Sequence, residues 1–265
     1  MQARQLPTRQ GWAWLQEGFQ LWKRNPALLT FASFGYLLIL LIVTSVPVIG
    51  QAIASLLMPV LSLGVLNTCR AIDEGRKTGP DILFSGFKSN VPALVTIGGI
   101  YLVGSVLVIL LTSAIDGGTL MSVLRGTAEF DPESGKAPNI GFSVLVVLVL
   151  SAPVIMAYWF APILAGWWQL SAPKAMFFSF YACLRNWRPF LFFGIALLLI
   201  GGMLPSMFIG VLAAAIPLLG NLLLLALPLV LIPVVFASFY INARDVFGSP
   251  TVNQVKDEVE PSDER

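Results

Sequence analysis

The chain has 265 residues, 57% hydrophobic and only 11% charged, with sixteen Lys and Arg against fourteen Asp and Glu for a net charge of +2. A soluble domain of this size carries about a quarter charged residues and needs them on the solvent faces of its helices, so a water-soluble globule is excluded. Histidine is absent, which excludes histidine-ligated metal or haem and imidazole acid–base chemistry.

Four stretches contain no Asp, Glu, Lys or Arg: 27–69, 89–115, 137–173 and 189–243. Crossing roughly 30 Å of hydrocarbon takes about 20 helical residues, so these runs predict spans. An amphipathic helix comes first, with Trp12, Leu15, Phe19 and Trp22 at helical spacing. The first apolar run starts after about 25 residues and is long enough to span, so no cleavable signal peptide is expected. Residues 27–69 then hold two spans about a turn at 46–51.

The third span is expected at 91–114, followed by an external loop over 116–140. A fourth span over about 142–169 is long for one crossing and carries Pro153 and Pro162, which suggests an interfacial start or a tilt. A second amphipathic stretch carries Phe177, Phe180, Tyr181 and Leu184. Residues 189–243 supply two more spans around a turn at 217–221, with 203–220 readable as span, re-entrant or interfacial segment. The end of the chain, 247–265, reads as an acidic disordered cytoplasmic tail.

All the Lys and Arg residues except Arg125 and Lys136 fall on one side of this topology. The positive-inside rule therefore places both termini, 70–90 and 170–188 in the cytoplasm. Cys69 and Cys183 then lie near cytoplasmic span ends, where no disulfide is expected.

A layout recurs three times: a Phe, then six positions on an Asn, a basic residue just before that Asn and a proline just after it. Its members are Phe19, Arg24, Asn25 and Pro26; Phe84, Lys88, Asn90 and Pro92; and Phe180, Arg185, Asn186 and Pro189. Asn can cap the following helix and proline is tolerated in its first turn, so each copy predicts a passage from lying on the membrane to crossing it. Pro59, Pro162 and Pro228 recur in the second helix of each copy. The expected fold is an all-α integral membrane protein. Its six transmembrane helices form three repeated units of interfacial amphipathic helix plus transmembrane hairpin. These units, about 8–73, 80–170 and 172–246, make one polytopic domain over 1–246.

The stretches 11–26, 69–75, 83–87 and 182–187 resemble a family of bacterial inner-membrane proteins with no assigned activity. More remotely the chain is similar to YciC-like proteins and to the membrane region of some glycerophosphodiester phosphodiesterases. The resemblance implies six helices and a bacterial plasma membrane, and brings no catalytic residue.

No span core carries a charge, so proton or ion coupling through carboxylates is not expected. Arg70 with Asp73, and Arg244 with Asp245, read as anchors at cytoplasmic helix ends. Gln51 and Asn221, at matched outer turns, either satisfy turn carbonyls or face a common cleft. Ala157, Ala161 and Ala165 have the small-residue spacing of close helix packing. A metal site from Glu129, Asp131 and Glu133 would need three carboxylates to converge on a flexible loop.

The chain is therefore expected to be no enzyme and to take no cofactor. Its expected partners are membrane lipids, and a membrane protein or a second copy of itself, with no nucleic acid. The leading role is envelope organisation through lipid or protein contacts. The alternative is a transporter or channel for a neutral or lipidic solute.

Overall fold

A computed structural model describes residues 3–47, 49–125 and 140–248. Glu129, Asp131 and Glu133, weighed above as metal ligands, and the acidic tail beyond Gly248 lie outside them. The described residues form helices alone: α1 (Gln10–Arg24), α2 (Pro26–Thr44), α3 (Gly50–Asp73), a 3-10 helix (Pro80–Lys88), α4 (Val91–Ile115), α5 (Thr119–Leu124), α6 (Ile140–Trp159) and α7 (Ala161–Trp167). The chain continues as α8 (Ala172–Arg185), α9 (Trp187–Ala196), a π-helical stretch (Leu197–Met203), α10 (Leu204–Ala215) and α11 (Pro217–Phe247).

Among the described residues, six helices are long and apolar enough to cross a membrane: α2, α3, α4, α6 with α7, α9 through α10, and α11. The segment 203–220 thus completes the fifth span and opens the sixth. Helix α3 is the central one, with Val60, Leu61, Leu63, Val65 and Leu66 all buried. The other spans present broad apolar faces such as Leu41, Leu110, Leu148 and Leu225, which suit lipid.

Helix α1, the 3-10 helix and α8 share a packing device. Helix α1 buries Gly11, Trp14, Gly18 and Leu21, while Phe19 stays exposed. A β-carbon on Gly11 would collide with the backbone of Pro189 and Phe193 in α9, and one on Gly18 with Ser238 in α11. The 3-10 helix buries Leu83 and Gly86 and exposes Phe84 and Phe87. Gly86 lies against the Val60 carbonyl, and Gly64 of α3 against the Leu83 carbonyl. Helix α8 buries Ala175, Ser179 and Ala182 and exposes Phe177, Tyr181 and Leu184. Small residues thus let backbones touch the bundle; the predicted stripe of α8 faces outward at Phe177, Tyr181 and Leu184, whereas in α1 Leu15 is buried, Trp12 and Trp22 are half-buried and only Phe19 is exposed.

The fourth candidate span, Ile140–Trp167, is broken between α6 and α7. Pro162 has no N–H to continue the ladder. Ser179 of α8 inserts there: the Phe160 amide donates to Ser179 Oγ at 2.8 Å, and Ser179 Oγ donates to the Met156 carbonyl at 2.7 Å. A side chain inserted into the i→i−4 ladder is an established cause of a helix kink.

Ala161 and Ala165 are fully buried, as close packing requires. The recurring prolines do not share one environment. Pro59 and Pro162 are buried, Pro228 is exposed, and Pro233 is the buried proline of α11. Cys69 and Cys183 are free thiols.

Candidate functional site

At the end of the bundle where α1 meets α2 and α3 meets the 3-10 helix, Asp73 is the node of a polar network. Its Oδ1 accepts from Arg24 at 3.1 Å, and its Oδ2 accepts from Arg244 and from the Tyr240 hydroxyl, each at 3.0 Å. Arg244 also donates to Glu17 at 2.8 Å, while Asp245 accepts from Gln10 at 2.8 Å and from the Trp14 indole at 3.0 Å. The carboxylates of Asp73 and Asp245 are only 19% and 18% exposed, so these charges are paired in reduced dielectric, where charge-assisted bonds are strong.

The expected pairing of Arg70 with Asp73 is not formed. Arg70 donates to Glu74 at 2.8 Å, and its guanidinium lies 5.3 Å from the ring centre of Trp167. Arg244 does approach Asp245, at 3.5 Å, but its shorter bonds go to Asp73 and Glu17. The predicted pairs were neighbours in sequence; the observed ones join the ends of different helices.

Beside this network a cleft of about 510 Å³ is lined by Arg24, Asn25, Asp73, Gly75, Arg76 and Lys77. Helix α3 ends in a Schellman turn: Gly75 takes φ +66°, the Gly75 amide donates to the Ile72 carbonyl at 3.2 Å, and the Arg76 amide to the Ala71 carbonyl at 2.8 Å. That turn swings Arg76 and Lys77 over the cleft. Glu74 neutralises part of Arg76; burial opposes its charge, but Arg70 and Arg76 together hold its carboxyl below the usual range. Lys77 has no carboxylate partner among the described residues. The cleft is thus polar, lined by three cations of which Arg24 is paired with Asp73 and Arg76 with Glu74.

Deeper in the bundle, a second cavity of about 290 Å³ draws on all six spans. Tyr36 of α2, Ser62 of α3, Tyr101 of α4 and Tyr158 with Trp159 of α6 line it, closed by Phe193, Leu197 and Phe236. At about 1.5 Å per residue, Tyr36 and Tyr101 lie about 15 Å along their helices from the basic end. That is about half of the roughly 30 Å that a membrane-crossing helix must span. No lining residue is charged.

Of the repeat asparagines, Asn25 accepts from the Leu28 amide at 3.2 Å and Asn90 from the Ala93 amide at 3.4 Å, both acting as helix caps. Asn186 departs from that role. It is fully buried, accepts from the Leu6 amide at 2.9 Å, and donates to the carbonyls of Arg4 and Ala182. It clamps the segment before α1 instead of capping α9. Gln51 and Asn221 are both exposed and line neither of these two cavities. Tyr36, Tyr101, Tyr158 and Trp159 were missed by sequence reasoning, although three of the five tyrosines lie deep in spans and away from the interfaces where tyrosine is enriched.

A six-helix bundle with lipid-suited outer faces, a polar cleft at one end and an uncharged cavity within the bundle defines an integral membrane protein. Over 262 residues the chain is 32% identical to a probable inner membrane protein of Burkholderia thailandensis, with 94% of each chain covered. The chain belongs to the family of that inner-membrane protein. No family model and no solved structure matches it.

Proposed function

We propose that this inner-membrane protein is non-enzymatic and contributes to envelope organisation by holding anionic lipid at the polar cleft, with both termini in the cytoplasm. The observation that carries the reading is the open cleft of Arg24, Arg76 and Lys77 at the end where α1 meets α2. The charge distribution supports the orientation, since Arg125 and Lys136 alone stand apart from the other basic residues. Near an anionic leaflet each basic residue contributes about 1 kcal/mol, and Lys77, which has no carboxylate partner among the described residues, offers a headgroup its charge beside the paired Arg24 and Arg76.

We also infer three repeat units, each an interfacial element followed by a transmembrane hairpin. The chain order supports this: α1 precedes α2 and α3, the 3-10 helix precedes α4 and α6, and α8 precedes α9 and α11. The remoter likeness to phosphodiesterase membrane regions brings no activity to this reading. A partner protein or a second copy would approach through the exposed aromatic residues.

The test is extraction in native-lipid discs followed by mass spectrometry of the retained lipid. Anionic phospholipid is expected to be enriched over an unrelated six-span control, and the enrichment lost in Arg24→Ala/Arg76→Ala/Lys77→Ala. The same lipid profile in wild type and control would overturn the reading. The cavity within the bundle favours a second reading, passage of a neutral lipidic solute, which flux in proteoliposomes would decide.

A further inference from the structure

A groove of about 320 Å³ lies where α1 crosses the last two spans, between α1, the π-helical stretch with the start of α10, and α11. Its long wall is Leu227, Val230, Leu231 and Val234, the i, i+3, i+4, i+7 stripe of one helical face. At about 1.5 Å per residue that stripe runs about 10 Å along the α11 axis. All four residues precede Ser238, against which Gly18 of α1 packs. The groove therefore starts at α1 and runs along α11 toward the N-terminal end of that helix. Leu15 and Phe19 of α1 close the near end. Apart from the Trp12 indole, Gln16 supplies the only polar side chain of the lining among the described residues.

The opposite wall, with Ile200, Gly201 and Pro205, comes from the π-helical stretch and the first turn of α10. Such stretches are rare and occur mostly at functional sites. A β-carbon on Gly201 would meet Leu231 Cδ1 at 2.8 Å, so glycine there lets the Leu231 side chain lie back and keeps the groove open.

Size and charge select the occupant. One turn of a helix about 10 Å across and 5.4 Å in pitch fills roughly 400 Å³, so a helix of a partner or of a second copy is too thick, and a slender chain fits. The polar groups gather at the α1 end. Lys23, one turn beyond Phe19, holds its Nζ 4.9 Å from the centre of the Phe19 ring and has no carboxylate partner among the described residues. The complementary ligand has an anionic end and a long apolar chain. We propose that the groove is a binding site for a glycerophospholipid, with one acyl chain lying along α11 and the phosphate held by Lys23 beside Gln16. Among lipids the chain gains nothing from leaving water, so the shape of the groove and the phosphate contact decide which molecule stays. No residue lines both this groove and the cleft of Arg24, Arg76 and Lys77, so either site can fail without the other.

The test uses the full chain in dodecyl maltoside, titrated with a phosphatidylcholine brominated along its acyl chains, and reads the quenching of tryptophan fluorescence. Trp12 lines the groove, so saturable quenching is expected, with its amplitude reduced in Trp12→Phe. Lys23→Ala should raise the midpoint about two- to fivefold, and Lys23→Arg should restore it. Leu227→Phe/Val230→Phe fills the groove from two half-exposed positions and should abolish the saturable phase. Brominated dodecyl maltoside, with a chain and no phosphate, should respond to the filled groove and not to Lys23→Ala. In the unaltered protein, a phosphatidylcholine with a diazirine on its acyl chain should label 12–19, 200–205 and 227–234 above other segments. Quenching that only follows the lipid-to-detergent ratio, or midpoints unmoved by both the filled groove and Lys23→Ala, would overturn the proposal. So would label spread evenly over outer faces such as Leu110 and Leu148, or a dimer whose groove stays unlabelled.

Discussion

Ser179 of α8 bridges the Phe160 amide and the Met156 carbonyl, two groups of another helix that an unbroken ladder would pair directly. Helix α8 is therefore part of the fourth span's hydrogen bonding and not only a cover laid on the bundle. Ser179→Ala would leave both groups unpaired where water is excluded. A loss of about 1–3 kcal/mol is expected, read as a lower thermal midpoint in detergent. Ser45→Ala, at an exposed position whose hydroxyl bonds only the Ile42 carbonyl, serves as the control and should change little. Equal midpoints for the two variants would mean that the bridge carries no stability.

Asp73 joins α1, α3 and α11 through Arg24, Arg244 and Tyr240. Exposed surface pairs contribute little, but Asp73 is 19% and Arg244 29% exposed, so the pair is partly shielded from solvent screening. Asp73→Asn and Arg244→Gln should each destabilise, and the double variant should lose less than the sum of the two. A coupling of about 0.5–3 kcal/mol is expected from the double-mutant cycle. Strict additivity would show that the two side chains do not interact in the folded protein.

Glycine contacts give a sharper contrast. A β-carbon on Gly86 would meet the Val60 carbonyl, and one on Gly64 the Leu83 carbonyl, whereas Gly194 and Gly210 have open space. Backbone cannot yield as a flexible side chain can, so Gly86→Ala and Gly64→Ala should lower folded yield severely. Gly194→Ala and Gly210→Ala should be neutral or slightly stabilising, because alanine favours helix by up to about 1 kcal/mol. Size-exclusion profiles of the four variants after mild extraction would distinguish these expectations.

What was legible in the sequence and what was not follows from the range of each interaction. The spans were legible because hydrocarbon thickness fixes their length and forbids charge, so 27–69 divides at 46–51 almost where α2 gives way to α3. The caps at Asn25 and Asn90 were legible because a cap bonds an amide three residues on. Asn186 carries the same local pattern, yet its partners are Arg4 and Leu6, some 180 positions away, and local spacing cannot see them. The Asp73 network failed for the same reason: Arg70 is the sequence neighbour, but Arg24 and Arg244 arrive from other helices. The aromatic stripes were found, and their direction was not, since small residues such as Gly18 and Ala182 decide which face meets the bundle.

Orientation can be read by thiol labelling with little background. Cys69 is fully buried, and burial pushes the Cys183 thiol up to about 12. A raised thiol pKa leaves almost no thiolate at pH 7 to 8, and the thiolate is the reactive species, so both native cysteines should stay silent until pH rises toward the folded value. New cysteines at Thr127 and Ser134 should react with a membrane-impermeant maleimide on intact cells. One at Thr78, on the rim of the polar cleft, should react only after permeabilisation. Labelling of position 78 from outside would invert the orientation and turn the cleft away from the more anionic leaflet, removing the electrostatic basis for headgroup binding.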